Sequence, residues 1–123
     1  MAKKKQESPF TGRWRIVSMS AWEDDFLDEE VEAYIEFNDR GWGEFHFGNV
    51  QGRMDCRLTT EGEPVVEWSW EGNEEMNEVN GRGWAVLGED GHLHGRIFIH
   101  DGEDSEFEAK RGRETRRRRR QRP

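Results

Sequence analysis

Residues 50 to 71, VQGRMDCRLTTEGEPVVEWSWE, constrain the fold more than any other stretch of the chain. A hairpin centred on Gly62 sets Arg53 opposite Glu71, Asp55 opposite Ser69 and Arg57 opposite Glu67 on one face. The other face then pairs Met54 with Trp70, Cys56 with Trp68 and Leu58 with Val66. Opposite charges meet on one side and apolar groups on the other, and each such pair contributes a few tenths to ~1 kcal/mol. A slip of one residue would destroy both sets at once, so the register is strongly specified. The glutamates beside Trp68 and Trp70 are thus cross-strand partners for arginines, on a strand with one apolar and one solvated face.

The rest of the body follows the same rule. Turn signals stand at Asn38–Gly41, Gly48-Asn49, Glu61–Pro64, Gly72-Asn73, Asn80-Gly81, Gly88–Gly91 and Asp101-Gly102, and most segments between them alternate at strand length. That pattern predicts strands at 12–20, 31–38, 42–48, 50–59, 65–71, 81–87, 92–100 and 104–110, an all-β fold. WEDDFLDEEV, residues 22 to 31, is the exception. Ser20 and Glu23 have capping-box spacing, and Trp22/Phe26 and Leu27/Val31 are i,i+4 pairs, so a short helix is expected after the first strand.

Strand parity assigns Val31, Ala33, Ile35, Phe37, Phe45, Phe47, Ala85, Leu87, Leu93, Ile97, Ile99, Phe107 and Ala109 to the interior. Glycines 52, 83 and 95 share that face, where they leave room for large rings in a narrow barrel. Tyr34, Trp42, His46, Trp84 and Phe98 fall on the outer face among arginines and carboxylates. A hairpin centred on Asp90 sets Trp84 against Arg96 as a cation–π pair.

Charge divides the chain. Lys3, Lys4 and Lys5 give residues 1–9 a basic head, and residues 111–123 form an Arg-rich tail without an apolar side chain; both ends are expected to be disordered. Between them, residues 8 to 109 carry seven arginines against 25 acidic residues, a balance of −18. The tail is suited to weak, non-specific contact with nucleic acid or another polyanion by counterion release. Six tryptophans compensate for a low content of branched aliphatic residues, so residues 10–110 read as one folded domain. Cys56 is the single cysteine, and no apolar run reaches the length of a signal peptide or membrane span; a reducing, cytoplasmic location with no membrane association is expected.

Phe10-Thr11-Gly12-Arg13-Trp14 at the start of the first strand resembles the Gly-x-Trp opening of lipocalins and other calycins. That resemblance implies an up-and-down antiparallel barrel of about eight strands, with Trp14 plugging one end and Gly12 permitting its close entry. The segments WEDDFLDEEVEAYIEF, GEFHFGNVQGRMDCR, EWSWEGNEEM, GRGWAVL and GRIFIHDGEDSEFEAKR, spanning residues 10 to 110, are similar to a family of small bacterial proteins of uncharacterised activity. That likeness implies no reaction.

No constellation of residue types declares an enzyme. His92, His94 and His100 share parity, but His94 and His100 lie ~20 Å apart along a strand, too far for one metal ion; His92 with His94 supplies half a site. Asp101–Ser105 lacks the spacing of a calcium loop. Asp55 and Glu67 are held ionised by Arg53 and Arg57, which unsuits them for acid–base work. No cofactor and no metal are expected. Two functional readings follow. The first is a non-catalytic barrel that binds a small amphipathic or apolar ligand among Trp14, Phe45, Phe47, Met54, Trp68 and Trp70. The alternative is an accessory module that docks a protein partner through an outer surface of Trp42, Arg53, Arg57, Trp84, Arg96 and Phe98, its tail touching a polyanion.

Overall fold

A computed structural model of the chain describes residues 8–112, and the expected head and tail lie largely outside them. Eight antiparallel strands close into a barrel in sequence order, and β8 returns to β1. They are β1 (Gly12–Met19), β2 (Tyr34–Phe37), β3 (Trp42–Phe47), β4 (Val50–Thr59), β5 (Val65–Glu74), β6 (Asn77–Leu87), β7 (Leu93–Ile99) and β8 (Asp104–Arg111), with one helix, α1 (Asp24–Leu27), after β1. The fold class is therefore the expected all-β up-and-down barrel. Closure removes the exposed edges that an open sheet of this length would present. No helix among the described residues is long and apolar enough to cross a membrane.

The β4–β5 register agrees at every predicted pair: Arg53 with Glu71, Met54 with Trp70, Asp55 with Ser69, Cys56 with Trp68, Arg57 with Glu67, and Leu58 with Val66. Alternation carries this outcome, since the buried face and the charged face each select the same pairing. The side chains then choose differently from the backbone. Arg57 makes its ion pair with Asp55, two residues along its own strand, at 3.1 Å. At 70% side-chain exposure such a contact is weak.

The interior is built from rings. Phe45 and Trp70 meet edge to face at 4.9 Å, Phe45 stacks on Phe47 at 5.7 Å, and Trp68 touches Phe37 at 5.7 Å and Phe107 at 6.4 Å. Glycines 52 and 83 make the room expected of them. A Cβ at Gly52 would lie 2.6 Å from the Phe45 ring, and one at Gly83 would lie 2.4 Å from the Trp68 indole. Trp14 is 1% exposed; its indole N–H donates to the Phe10 carbonyl at 2.9 Å, and the Arg111 guanidinium lies 3.9 Å above its ring. Arg111 also donates to the carbonyls of Thr11 and Pro9. β8 therefore runs one residue into the stretch read as tail, and Arg111 seals the end of the barrel at which the chain enters.

Several expectations are corrected. The turn signals at Gly72-Asn73 and Asn80-Gly81 lie inside strands, and the β5–β6 hairpin turns instead at Glu75-Met76, with Glu75 in the left-handed region at φ 55°. The two glycines serve close strand approach: a Cβ at Gly72 would come within 1.8 Å of the Gln51 carbonyl oxygen, and one at Gly81 equally near that of Phe98. The helix spans four residues only, and Ser20 does not cap it. Its hydroxyl accepts from the Glu106 amide across the barrel seam, while Glu23 occupies the cap position without a side-chain bond. Trp22 and Phe26 do stack, at 6.1 Å, but Val31 follows the helix and is 42% exposed rather than inward. His46, expected outside, is buried, because the segment after α1 folds across it and Glu30 meets its Nε2 at 3.0 Å. Leu87 and Ile99, placed inside by parity, are half-buried near strand ends.

Candidate functional site: the outer face of strands 3 to 7

The six interior candidates, Trp14, Phe45, Phe47, Met54, Trp68 and Trp70, all point inward and pack on one another. None exposes more than 4% of its surface. The space beside Phe10, Phe37, Cys56 and Val66 amounts to ≈ 20 Å³, about the room needed by one water. Cys56 is a free, buried thiol at the edge of that space.

The larger concavities lie outside the barrel. On the outer face, cross-strand pairing lines up Trp42, Asp55, Ser69, Arg82 and Phe98 in one row from β3 to β7. Four strand steps of ~4.8 Å put ~19 Å of curved sheet between its aromatic ends. The next row holds Arg57, Glu67, Trp84 and Arg96. An open depression of ≈ 890 Å³ includes Trp42, Arg53 and Glu71, and a second of ≈ 500 Å³ includes Arg57, Trp84 and Phe98; Asp55 and Ser69 belong to both. Trp42 is 45% exposed and Trp84 37%, among the most exposed large apolar side chains of the described residues.

Five of the six outer candidates thus line these two adjoining depressions. Arg96 does not. Strand pairing places it beside Trp84 as expected, but its guanidinium forks onto Asp104 at 3.0 Å and Glu106 at 2.9 Å on β8. Two carboxylates outcompete an indole face for a guanidinium, which corrects the cation–π expectation. A cation–π contact in this region joins Arg82 to Phe98, at 5.9 Å. Arg53 and Arg82 make no ion pair among the described residues, and each lines one of the depressions. Sequence reading passed over Arg82, because the misplaced turn at Asn80-Gly81 hid its alignment with Ser69 and Asp55. The signal was present: continuing the β5 alternation through Gly72 to Glu74 would have found it.

Beyond the depressions, Tyr34 on β2 donates its hydroxyl to Glu44 on β3 at 2.8 Å, with Arg13 lying 3.9 Å over its ring. Burial, reinforced by that carboxylate, pushes the phenol up to about 12. The folded state therefore holds this proton more tightly than the unfolded chain does. Its stabilising contribution is complete below pH ~10, the ordinary tyrosine value, and is lost as pH rises from there to about 12. The chain has one tyrosine, so near-ultraviolet absorbance follows this group alone. Native protein should ionise well above the urea-unfolded chain, and Glu44→Gln should bring the native titration back toward the unfolded one.

No protein-family model, curated protein or solved structure matches the chain, so its place among known proteins is carried by the closed eight-stranded antiparallel barrel itself.

Proposed function

We propose that this protein is a non-catalytic, calycin-like barrel that docks a basic protein segment on the outer face of β3 to β7. One observation carries the reading: the concave space lies outside the sheet, between exposed tryptophans, while the interior rings occupy the barrel axis. Aromatic residues and arginine are the types enriched where interfaces are fully buried. Trp42 and Trp84 would serve as anchors, with Asp55, Glu67 and Glu71 meeting basic side chains of the partner and Arg53, Arg57 and Arg82 positioning its backbone carbonyls. The excess of 18 negative charges over residues 8 to 109 favours a basic partner and speeds its approach. The Arg-rich tail, residues 111–123, lies outside the described residues from position 113 onward; its part in the reading is weak, salt-sensitive contact with a polyanion. A ligand inside the barrel would require the interior rings to part.

Fluorescence anisotropy with a labelled lysine- and arginine-rich peptide tests the proposal. The wild type should bind it in moderate salt, and Trp42→Ser/Trp84→Ser should weaken binding by about tenfold or more, as expected when buried aromatic anchors are lost. Unchanged binding in the double variant would sink the proposal, since charge alone would then account for it. An apolar fluorescent probe should stay unbound by the folded wild type. Saturable, stoichiometric uptake by the folded wild type would favour the interior-ligand reading instead.

A further inference from the structure

At the end of the barrel where β6 turns into β7, four side chains from two strands and a turn converge. Asp90 stands in the Gly88–Gly91 turn, His92 just before β7, His94 within it, and Glu108 on β8, where it pairs with His94 in register. His92 Nδ1 lies 2.5 Å from Glu108 Oε2 and 3.7 Å from Asp90 Oδ2. Donor atoms of Asp90, His92 and Glu108 all lie within 4.8 Å of one another. His94 Nε2 stands 3.2 Å from both oxygens of Asp90.

We propose that Asp90, His92 and Glu108 bind a divalent first-row transition ion such as zinc, with His94 as the positioning residue that holds the Asp90 carboxylate. Ligands ~2.0–2.2 Å from a tetrahedral ion stand ~3.3–3.5 Å from one another. The observed separations bracket that value. A single imidazole nitrogen faces two carboxylates here, and one N–H cannot serve both acceptors fully. A dication does, through the Nδ1 lone pair and both anions together.

The turn is shaped around these groups. A Cβ at Gly88 would fall 2.7 Å from Asp90 Oδ1 and 2.8 Å from the His94 ring, so a side chain there would crowd the two together. The His92 amide donates to Asp90 Oδ1 at 2.9 Å, and this bond is the largest cause holding the Asp90 carboxyl below its usual range. An outer partner such as His94 on a ligating carboxylate matters commonly by 10–100-fold in metal affinity. The imidazole separates this cluster from the carboxylates around α1: nitrogen favours zinc, nickel or copper, whereas oxygen alone suits magnesium or calcium. Three protein donors leave a coordination position open. His100 takes no part; it follows β7 at the opposite end and meets Asp101 at 3.5 Å.

The test is calorimetric titration of the full chain with zinc in excess magnesium, which occupies loose carboxylate sites. One zinc per chain is expected. His92→Ala and the conservative Glu108→Gln should each weaken it by tenfold or more, and His94→Ala by 10–100-fold. His100→Ala should leave it unchanged. Far-UV circular dichroism checks that each variant retains its strand signal. In the wild type, nitrogen-detected NMR should show the His92 Nδ1 resonance moving on zinc addition, a readout that needs no variant. Absence of zinc binding, or binding that survives His92→Ala at full strength with an unmoved His92 resonance, would overturn the proposal.

Discussion

Trp68→Ala should lower the unfolding free energy by ~3–5 kcal/mol, measured by urea denaturation with far-UV circular dichroism. Trp68 is 3% exposed and lies against Phe37 and Phe107, so truncation leaves a large space that rings on opposite walls of a closed barrel cannot collapse to fill. A loss of that size is a large fraction of the ~5–15 kcal/mol that stabilises a typical domain, and partial unfolding at ambient temperature is the expected phenotype. Trp68→Phe provides the contrast. The indole N–H is buried and has no hydrogen-bond partner among the described residues. Phenylalanine keeps most of the ring and removes that donor, whose unpaired burial costs ~1–3 kcal/mol. Its net effect should therefore be a small part of the alanine loss. If the two substitutions cost the same, ring packing is not what Trp68 contributes.

Gly83→Ala should destabilise by ~1–3 kcal/mol through overpacking, although alanine ordinarily suits a strand better than glycine does. The added methyl would lie 2.4–2.5 Å from three atoms of the Trp68 indole, and a ring held by Phe37 and Phe107 has nowhere to retreat. Coupling between the two positions follows. In a double-mutant cycle, Gly83→Ala should cost much less in a Trp68→Leu background, where the side chain is smaller and more pliant. Additive effects would mean that glycine is required by the backbone of β6 rather than by the indole beneath it.

Alternation at period two was enough to read the strands and their faces from the chain, because a strand with one buried face carries its pairing in its residue types. The closed barrel was implied by the resemblance of the Gly12–Trp14 opening to calycins. The register of β4 on β5, the inward set from Ile35 to Ala109 apart from Leu87 and Ile99, and the ring-accommodating glycines 52 and 83 all follow from alternation. Local glycine signals were less informative. Gly72 and Gly81 look like turn residues, yet each is needed where a neighbouring backbone approaches, and no local pattern separates those two uses of a missing Cβ. Five of the outer contact candidates were likewise legible, since parity alone sets Trp42, Arg53, Arg57, Trp84 and Phe98 outside.

What the sequence by itself determined is therefore the periodic part: strands, faces and the pairing of neighbours joined by short turns. Tertiary structure decided whatever depends on residues far apart in the chain. Closure of β8 on β7 and β1 brings Glu108 to His92 and Arg111 to Trp14, and takes Arg96 away from Trp84 to Asp104 and Glu106. Folding of the segment after α1 over β3 buries His46 against Glu30. The physical reason is that alternation specifies which face a side chain occupies but not which of several charged groups on that face its flexible end will reach. A carboxylate's partner is settled by three-dimensional distance and competing charge, and both exist only once the sheet has closed.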